Sequence, residues 1–301
     1  MNFYFINDIF SLQYTLRNTF GLLIVLSFAA CHSREDEAKK ISFPLKDNAA
    51  TGRAIRQATL KRQSKPPKKK KKIYLTFDDG PNKGTPTVLN IIEQEQVPVT
   101  FFLVGSHVKG SHEQSTTFDL LKTSRVAELC NHSYSHAGNR YDKFYSNADS
   151  VVADFEKAQA VMQLQNNIAR CPGRNAWRID SLQVTDIKKS KAAIDSLYRK
   201  GYTVMGWDIE WHFDSKTMKP VQSPEKMVSE IDSAFTKNKI RHLDNIILLA
   251  HDQAYRKPDD SAALHRFIKL LKTNDDYELD VVSNYPLLTK IEIVPDTTGM
   301  K

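Results

Sequence analysis

The chain has 301 residues and a formal net charge of +8, room for one catalytic domain with extensions. The charge is local: residues 51–72 carry ten basic side chains and no acid, residues 1–50 balance five of each, and the remainder therefore sums to −2. A near-neutral body excludes the broad basic surface of a nucleic-acid binder, so no nucleic-acid partner is expected.

From the N-terminus, residues 21–30 form an apolar run ending in Ala29-Ala30 before Cys31. It is too short to span a bilayer as a mature helix and long enough for the core of an export signal. Small residues before a cysteine resemble a bacterial lipobox. That resemblance implies cleavage after residue 30, a lipid on Cys31, and an exported protein anchored to the periplasmic or surface face of a bacterial membrane; an uncleaved signal anchor is the other reading. Residues 31–72 show no apolar period and end in Lys65-Pro66-Pro67 and a run of five lysines. Repelling charges and prolines make this an extended basic linker. It is either a solvated spacer or a contact with anionic headgroups or wall polymer.

Beyond it, strand-like runs alternate with helical patterns. Strands are predicted at 73–77, 99–104, 126–131, 168–171, 202–209, 245–250 and 279–282. Helices are predicted at 87–94, 150–164, 187–199, 224–235 (with Ser223 as N-cap) and 262–271. The alternation predicts one α/β domain over 73–290 with a parallel sheet, and some seven strands suit a barrel better than an open sheet. Residues 291–301 read as a tail. Cys130 and Cys171 could pair outside the cytosol, but two buried thiols are the simpler reading. A monomer is expected.

Three strand ends carry metal-binding groups. The first strand runs into Asp78-Asp79-Gly80-Pro81. Neighbouring residues at a strand end point to different sides, so one aspartate can ligate a cation while the other accepts a proton. Alone, this is equally an ordinary Asp-Gly turn. His132 and His136 stand four apart after the third strand, and imidazole is a frequent ligand for zinc and related ions. Two histidines and one aspartate leave coordination positions open, the composition of a catalytic rather than a structural site. The aliphatic run 246–250 ends in His251-Asp252, which delivers a further imidazole to the same end of the sheet.

These stretches resemble the polysaccharide deacetylases of carbohydrate esterase family 4, the NodB-homology group. Thr76-Phe77-Asp78-Asp79-Gly80-Pro81 matches its first motif, residues 100–105 its second strand, His132–His136 its second motif and Leu248–Asp252 its fifth. The resemblance covers about residues 73–285. It implies a distorted (β/α) barrel of seven or eight parallel strands. It further implies Asp78 as general base, Asp79, His132 and His136 as ligands to one divalent metal, and His251 as general acid. Zinc suits this ligand set, with cobalt, nickel or manganese also tolerated. Arg170 occupies the place of the arginine that holds the base, with Arg174 as competitor. Gly173 stands where the family has an aromatic after Pro172, and Asn175 and Trp177 are candidates to rebuild that wall. Asp208 or Glu210 would tune His251. The implied reaction is hydrolysis of an acetamide on an acetylated polysaccharide such as peptidoglycan or chitooligosaccharide, with the oxyanion met by the metal and a backbone N–H near Pro81. Leu249 would line the acetyl pocket. Tyr134, Trp177, Trp207 and Trp211 could stack on sugars, with core packing as the alternative. An O-acetyl esterase acting on a glycan such as xylan, and a glycan-binding lipoprotein without turnover, are the other readings.

Overall fold

The computed structural model describes residues 69–288. The expected export signal, the expected lipidation site at Cys31, the expected linker up to residue 68 and the expected tail 291–301 lie outside the described residues. Among the described residues no helix is long and apolar enough to cross a membrane.

Eight parallel strands make the body: β1 (Lys71–Asp78), β2 (Val99–Leu103), β3 (Ala127–Asn131), β4 (Ile168–Ala169), β7 (Thr203–Val204), β8 (Ile209–Glu210), β9 (Asn245–His251) and β10 (Tyr277–Leu279). A hairpin of β5 (Ala176–Ile179) and β6 (Leu182–Thr185) joins antiparallel beside β7. The order β6-β5-β7-β4-β3-β2-β1-β9-β8 stays open between its ends, so the sheet curls into a half-barrel. One edge of β1 is shared: β2 pairs with Thr76–Asp78, β10 with Lys71–Ile73.

Strand periodicity assigns the two faces. Ile73, Leu75 and Phe77 of β1 and Ile246, Leu248 and Ala250 of β9 face outward into one apolar layer. Helices α1 (Thr85–Glu95), α6 (Pro224–Thr236) and α7 (Pro258–Lys272) cover that layer. The alternate residues point inward. Tyr74, Phe102, Cys130, Ile168, Trp177, Met205 and Ile247 fill the interior, leaving Asp78 and His251 side by side in register at the strand ends. Ser223 caps α6 as predicted, accepting from the Lys226 N–H at 3.2 Å. Helices α4 (Ala148–Met162) and α5 (Lys191–Arg199) close a second apolar cluster around Phe155, Ile194 and Leu197. Two further helices escaped the sequence reading: α2 (His112–Thr123) and the five-residue α3 (Tyr141–Tyr145).

Three expectations change. The sheet begins at Lys71, within the predicted linker. Lys71 and Lys72 donate backbone N–H groups to Asp276 and Asp244, and the Lys72 ammonium pairs with Asp280 at 2.6 Å. The single strand predicted over 202–209 is two, β7 beside β4 and β8 beside β9, because residues 205–208 cross between the two flanks of the sheet. The strand predicted at 279–282 ends at Leu279. Cys130 and Cys171 are free, buried thiols.

Candidate active site at the mouth of the half-barrel

Strand β1 delivers Asp78 inward and then breaks. Asp79 adopts φ +76°, a left-handed conformation that costs a non-glycine residue about 1–3 kcal/mol, and a cis Gly80-Pro81 bond follows. The Asp79 peptide is held by His107, whose Nδ1 meets the Asp79 carbonyl oxygen at 2.9 Å. This turn throws the Asp79 carboxylate towards the segment after β3. There Ser133, His136 and Ala137 also have positive φ, wrapping the chain so that both imidazoles face back.

One ligand atom each from Asp79, His132 and His136 lies within 4.8 Å of the others. Asp79 Oδ1 is 3.0 Å from His136 Nε2 and 3.5 Å from His132 Nε2. Yet this buried oxygen has no directed hydrogen bond. The three atoms converge on a shared point instead of pointing at one another. One carboxylate oxygen and two imidazole nitrogens with an orphaned acceptor among them fit a divalent cation. The fit extends outward: His132 Nδ1 lies 2.9 Å from the Arg170 carbonyl, which fixes the ring with Nε2 towards the cluster. Burial pushes the Asp79 carboxyl up, but the adjacent His132 and His136 outweigh it and hold it well below the usual carboxylate range.

Arg170 is fully buried beneath Asp78. Its guanidinium donates to Asp78 Oδ1 at 2.8 Å, Thr76 Oγ at 2.7 Å, the Gly206 carbonyl at 3.0 Å and the Met205 carbonyl at 3.2 Å, and lies on the Phe102 ring at 4.0 Å. The strand break at 205–208 thus supplies two of its acceptors. Arg174 is elsewhere, donating to Asp142 and Ser190. With Oδ1 engaged, Asp78 keeps Oδ2 near the cluster, 3.6 Å from His132 Nε2. His251 Nε2 lies 3.9 Å from Asp79 Oδ2.

Neither carboxylate expected to tune His251 lies beside it. Asp208 accepts the N–H groups of Ile247 and Arg241, both at 2.8 Å. Ile247 is four residues before His251, roughly 13 Å along a strand. Burial pushes Asp208 up to about 6. Glu210 faces His212 at 3.4 Å. His251 instead packs against the Phe213 ring, centroids 4.9 Å apart, and its buried Nδ1 has no partner among the described residues. Asp252 turns away from the mouth to Asn82 and Thr85, where burial pushes it up to about 7.

The substrate contacts divide. Leu249 lies on the inner face two residues before His251, opposite Thr76. Pro81 follows the aspartate pair and is fixed through its carbonyl, which accepts from Gln114 at 2.8 Å. Trp207 is half-buried with its ring 5.9 Å from the Arg170 guanidinium. Trp177 and Trp211 are fully buried core residues. Trp177 donates Nε1–H to Asn175 at 3.0 Å, so this pair does not rebuild a wall at Gly173. Tyr134 packs outside the barrel on α4, with the Lys157 ammonium 3.6 Å above its ring. The ring actually beside the cluster is Tyr141, edge-on to His136 with centroids 5.9 Å apart, a residue that no motif marked. Burial, reinforced by the Asp79 charge, pushes its phenol up, so it remains a donor.

A sequence-family profile described as polysaccharide deacetylase matches residues 65–173. A chitin disaccharide deacetylase from Vibrio alginolyticus is 24% identical over 303 aligned residues, covering 71% of each chain. A chitooligosaccharide deacetylase from a Bradyrhizobium species is 40% identical over 65 residues, 21% of this chain and 28% of that one. Among solved structures, a carbohydrate esterase family 4 enzyme from Streptococcus mutans superposes with a TM-score of 0.53 at 22% identity, covering 70% of this chain and 86% of the other.

Proposed function

We propose, for a chain that is a polysaccharide deacetylase of carbohydrate esterase family 4, that it hydrolyses N-acetyl groups on an N-acetylglucosamine-containing glycan with one divalent cation, zinc by preference, held by Asp79, His132 and His136. The observation that carries this reading is the convergence of those three ligand atoms around the orphaned Asp79 oxygen, beside an aspartate clamped by a buried arginine. Bound there, a divalent cation supplies a Lewis acid that polarises a carbonyl and acidifies water.

The chain's own residues do the rest. Arg170 fixes Asp78 through Oδ1 and leaves Oδ2 to take the proton of the attacking water. His251 donates a proton to the departing amine; its ring is held against Phe213 rather than by a carboxylate. Leu249 and Pro81 border the space for the acetyl group. Trp207 packs against the interior cluster and lines a cavity with Asp208 and Arg241 away from the mouth, so it drops out as a contact for sugar. The glycan class follows from relatives named for chitin and its oligosaccharides. Export and a lipid on Cys31 complete the proposal and put the substrate outside the cytoplasm.

Acetate release from chitooligosaccharides, peptidoglycan and acetylxylan tests the proposal. N-Acetylated glycans should be turned over and acetylxylan should not. Preferential release from acetylxylan would overturn the amide assignment in favour of an O-acetyl esterase.

A further inference from the structure

We propose that Tyr141 is a substrate-contacting residue of this site, its hydroxyl donating a hydrogen bond to the glycan bound at the metal cluster; this rests on the deacetylase reading above. Gly173 makes the place for this ring. Its φ of +62° is left-handed, and a Cβ there would stand 3.0–3.2 Å from three atoms of the Tyr141 ring. The absent side chain makes room for a ring brought from a different element.

That ring is held firmly. Helix α3 docks on residues 172–174 through three contacts besides the ring itself. Tyr145 donates its hydroxyl to the Pro172 carbonyl at 2.9 Å. The Arg174 guanidinium pairs with Asp142 at 2.9 Å and lies 5.6 Å from the Tyr141 centroid and 5.0 Å from that of Tyr145. On its other flank Tyr141 meets His136. An aromatic ring fixed by its neighbours loses little entropy when it binds, which suits it to positioning a ligand. Its neighbour Tyr145 spends its hydroxyl inside the protein. The Tyr141 hydroxyl makes no hydrogen bond among the described residues, although the ring is half-buried against a ligand of the cluster. A phenol whose ring lies beside the cluster and whose hydroxyl is unused by the fold is available to the substrate.

The test uses the full chain. Tyr141→Phe keeps the ring, its contact with Gly173 and the fold, and removes only the hydroxyl. It should lower kcat/KM for acetate release from N-acetylchitopentaose by about tenfold, the usual worth of one hydrogen bond between neutral groups, with the thermal midpoint unchanged. Gly173→Ala should displace the ring, so Tyr141→Phe added to Gly173→Ala should cost less than it does alone. Binding of the same oligosaccharide to Asp78→Asn protein, followed by calorimetry, should weaken when Tyr141→Phe is added. Parental kcat/KM in Tyr141→Phe, or full additivity with Gly173→Ala, would overturn the assignment and leave Tyr141 as packing. A parent that releases no acetate from any acetylated glycan would instead overturn the deacetylase reading.

Discussion

Arg170 is the residue on which fold and site depend together, so Arg170→Met is an informative perturbation. The side chain is fully buried, and Asp78 is only 3% exposed. Removing the guanidinium leaves a buried carboxylate without its counter-charge, which costs about 3–5 kcal/mol. The Met205 and Gly206 carbonyls lose their donor in the same step. For a domain of this size each kcal/mol corresponds to about 2–4 °C, so the thermal midpoint should fall by about 6–20 °C. The cost is largely that of the unpaired charge, so Arg170→Met with Asp78→Asn should be more stable than Arg170→Met alone, by at least about 1 kcal/mol. Thermal unfolding followed by circular dichroism on the parent, both single variants and the double variant measures this. A midpoint within about 2 °C of the parent for Arg170→Met, or a double variant no more stable than that single one, would refute the reasoning.

His136→Ala should lose its equivalent of bound divalent metal, measured by elemental analysis after dialysis, and with it the stabilisation of about 2.7 kcal/mol that a ligand gives at one hundred times its Kd; full occupancy in the variant would remove His136 from the ligand set. Burial raises Asp208 to about 6, above the ordinary carboxylate value, so its stabilising contribution is present below about pH 4 and is lost as pH rises through 6, where the folded state must ionise a buried group. The stability of Asp208→Asn relative to the parent should therefore improve between pH 4 and 7, and a pH-independent difference would contradict that sign. His107→Ala removes the group that holds the Asp79 carbonyl; it should weaken metal binding by about 10–100-fold, as loss of a ligand's supporting contact does, and unchanged affinity would leave His107 as surface structure.

The sequence made the inner parts of the site legible and the rim illegible. Strands β1 and β9 are long apolar runs that end in acidic or imidazole groups, so their ends could be brought to the same end of the sheet. The candidate ligands Asp79, His132 and His136 follow soon after strands, where local spacing carries the information. Arg170 could be placed only through the family pattern, since nothing local distinguishes it from Arg174. Asp208 failed for a specific reason. Residues 202–209 have the composition of one strand, which would have carried Asp208 to the same end as His251. The chain instead leaves β7, gives two carbonyls to Arg170 and starts β8, so Asp208 lies at the far end from the mouth. The β5–β6 hairpin turns at Asp180, with φ +42° and no glycine to announce it. Trp177 and Tyr134 have the composition of sugar contacts, but their neighbours in space are core and helix. Tyr141 sits on a helix too short to show a period, and its relation to Gly173 and His136 exists only in three dimensions.

The most direct test of the account compares the parent with Asp78→Asn, measuring acetate released from N-acetylchitopentaose and bound metal on the same samples. Asp78→Asn preserves size and leaves Asp79, His132 and His136 untouched. The account predicts equal metal content and a loss of turnover of about 10²–10⁴-fold, the worth of a positioned base. Near-parental acetate release by Asp78→Asn with its metal still bound would contradict it.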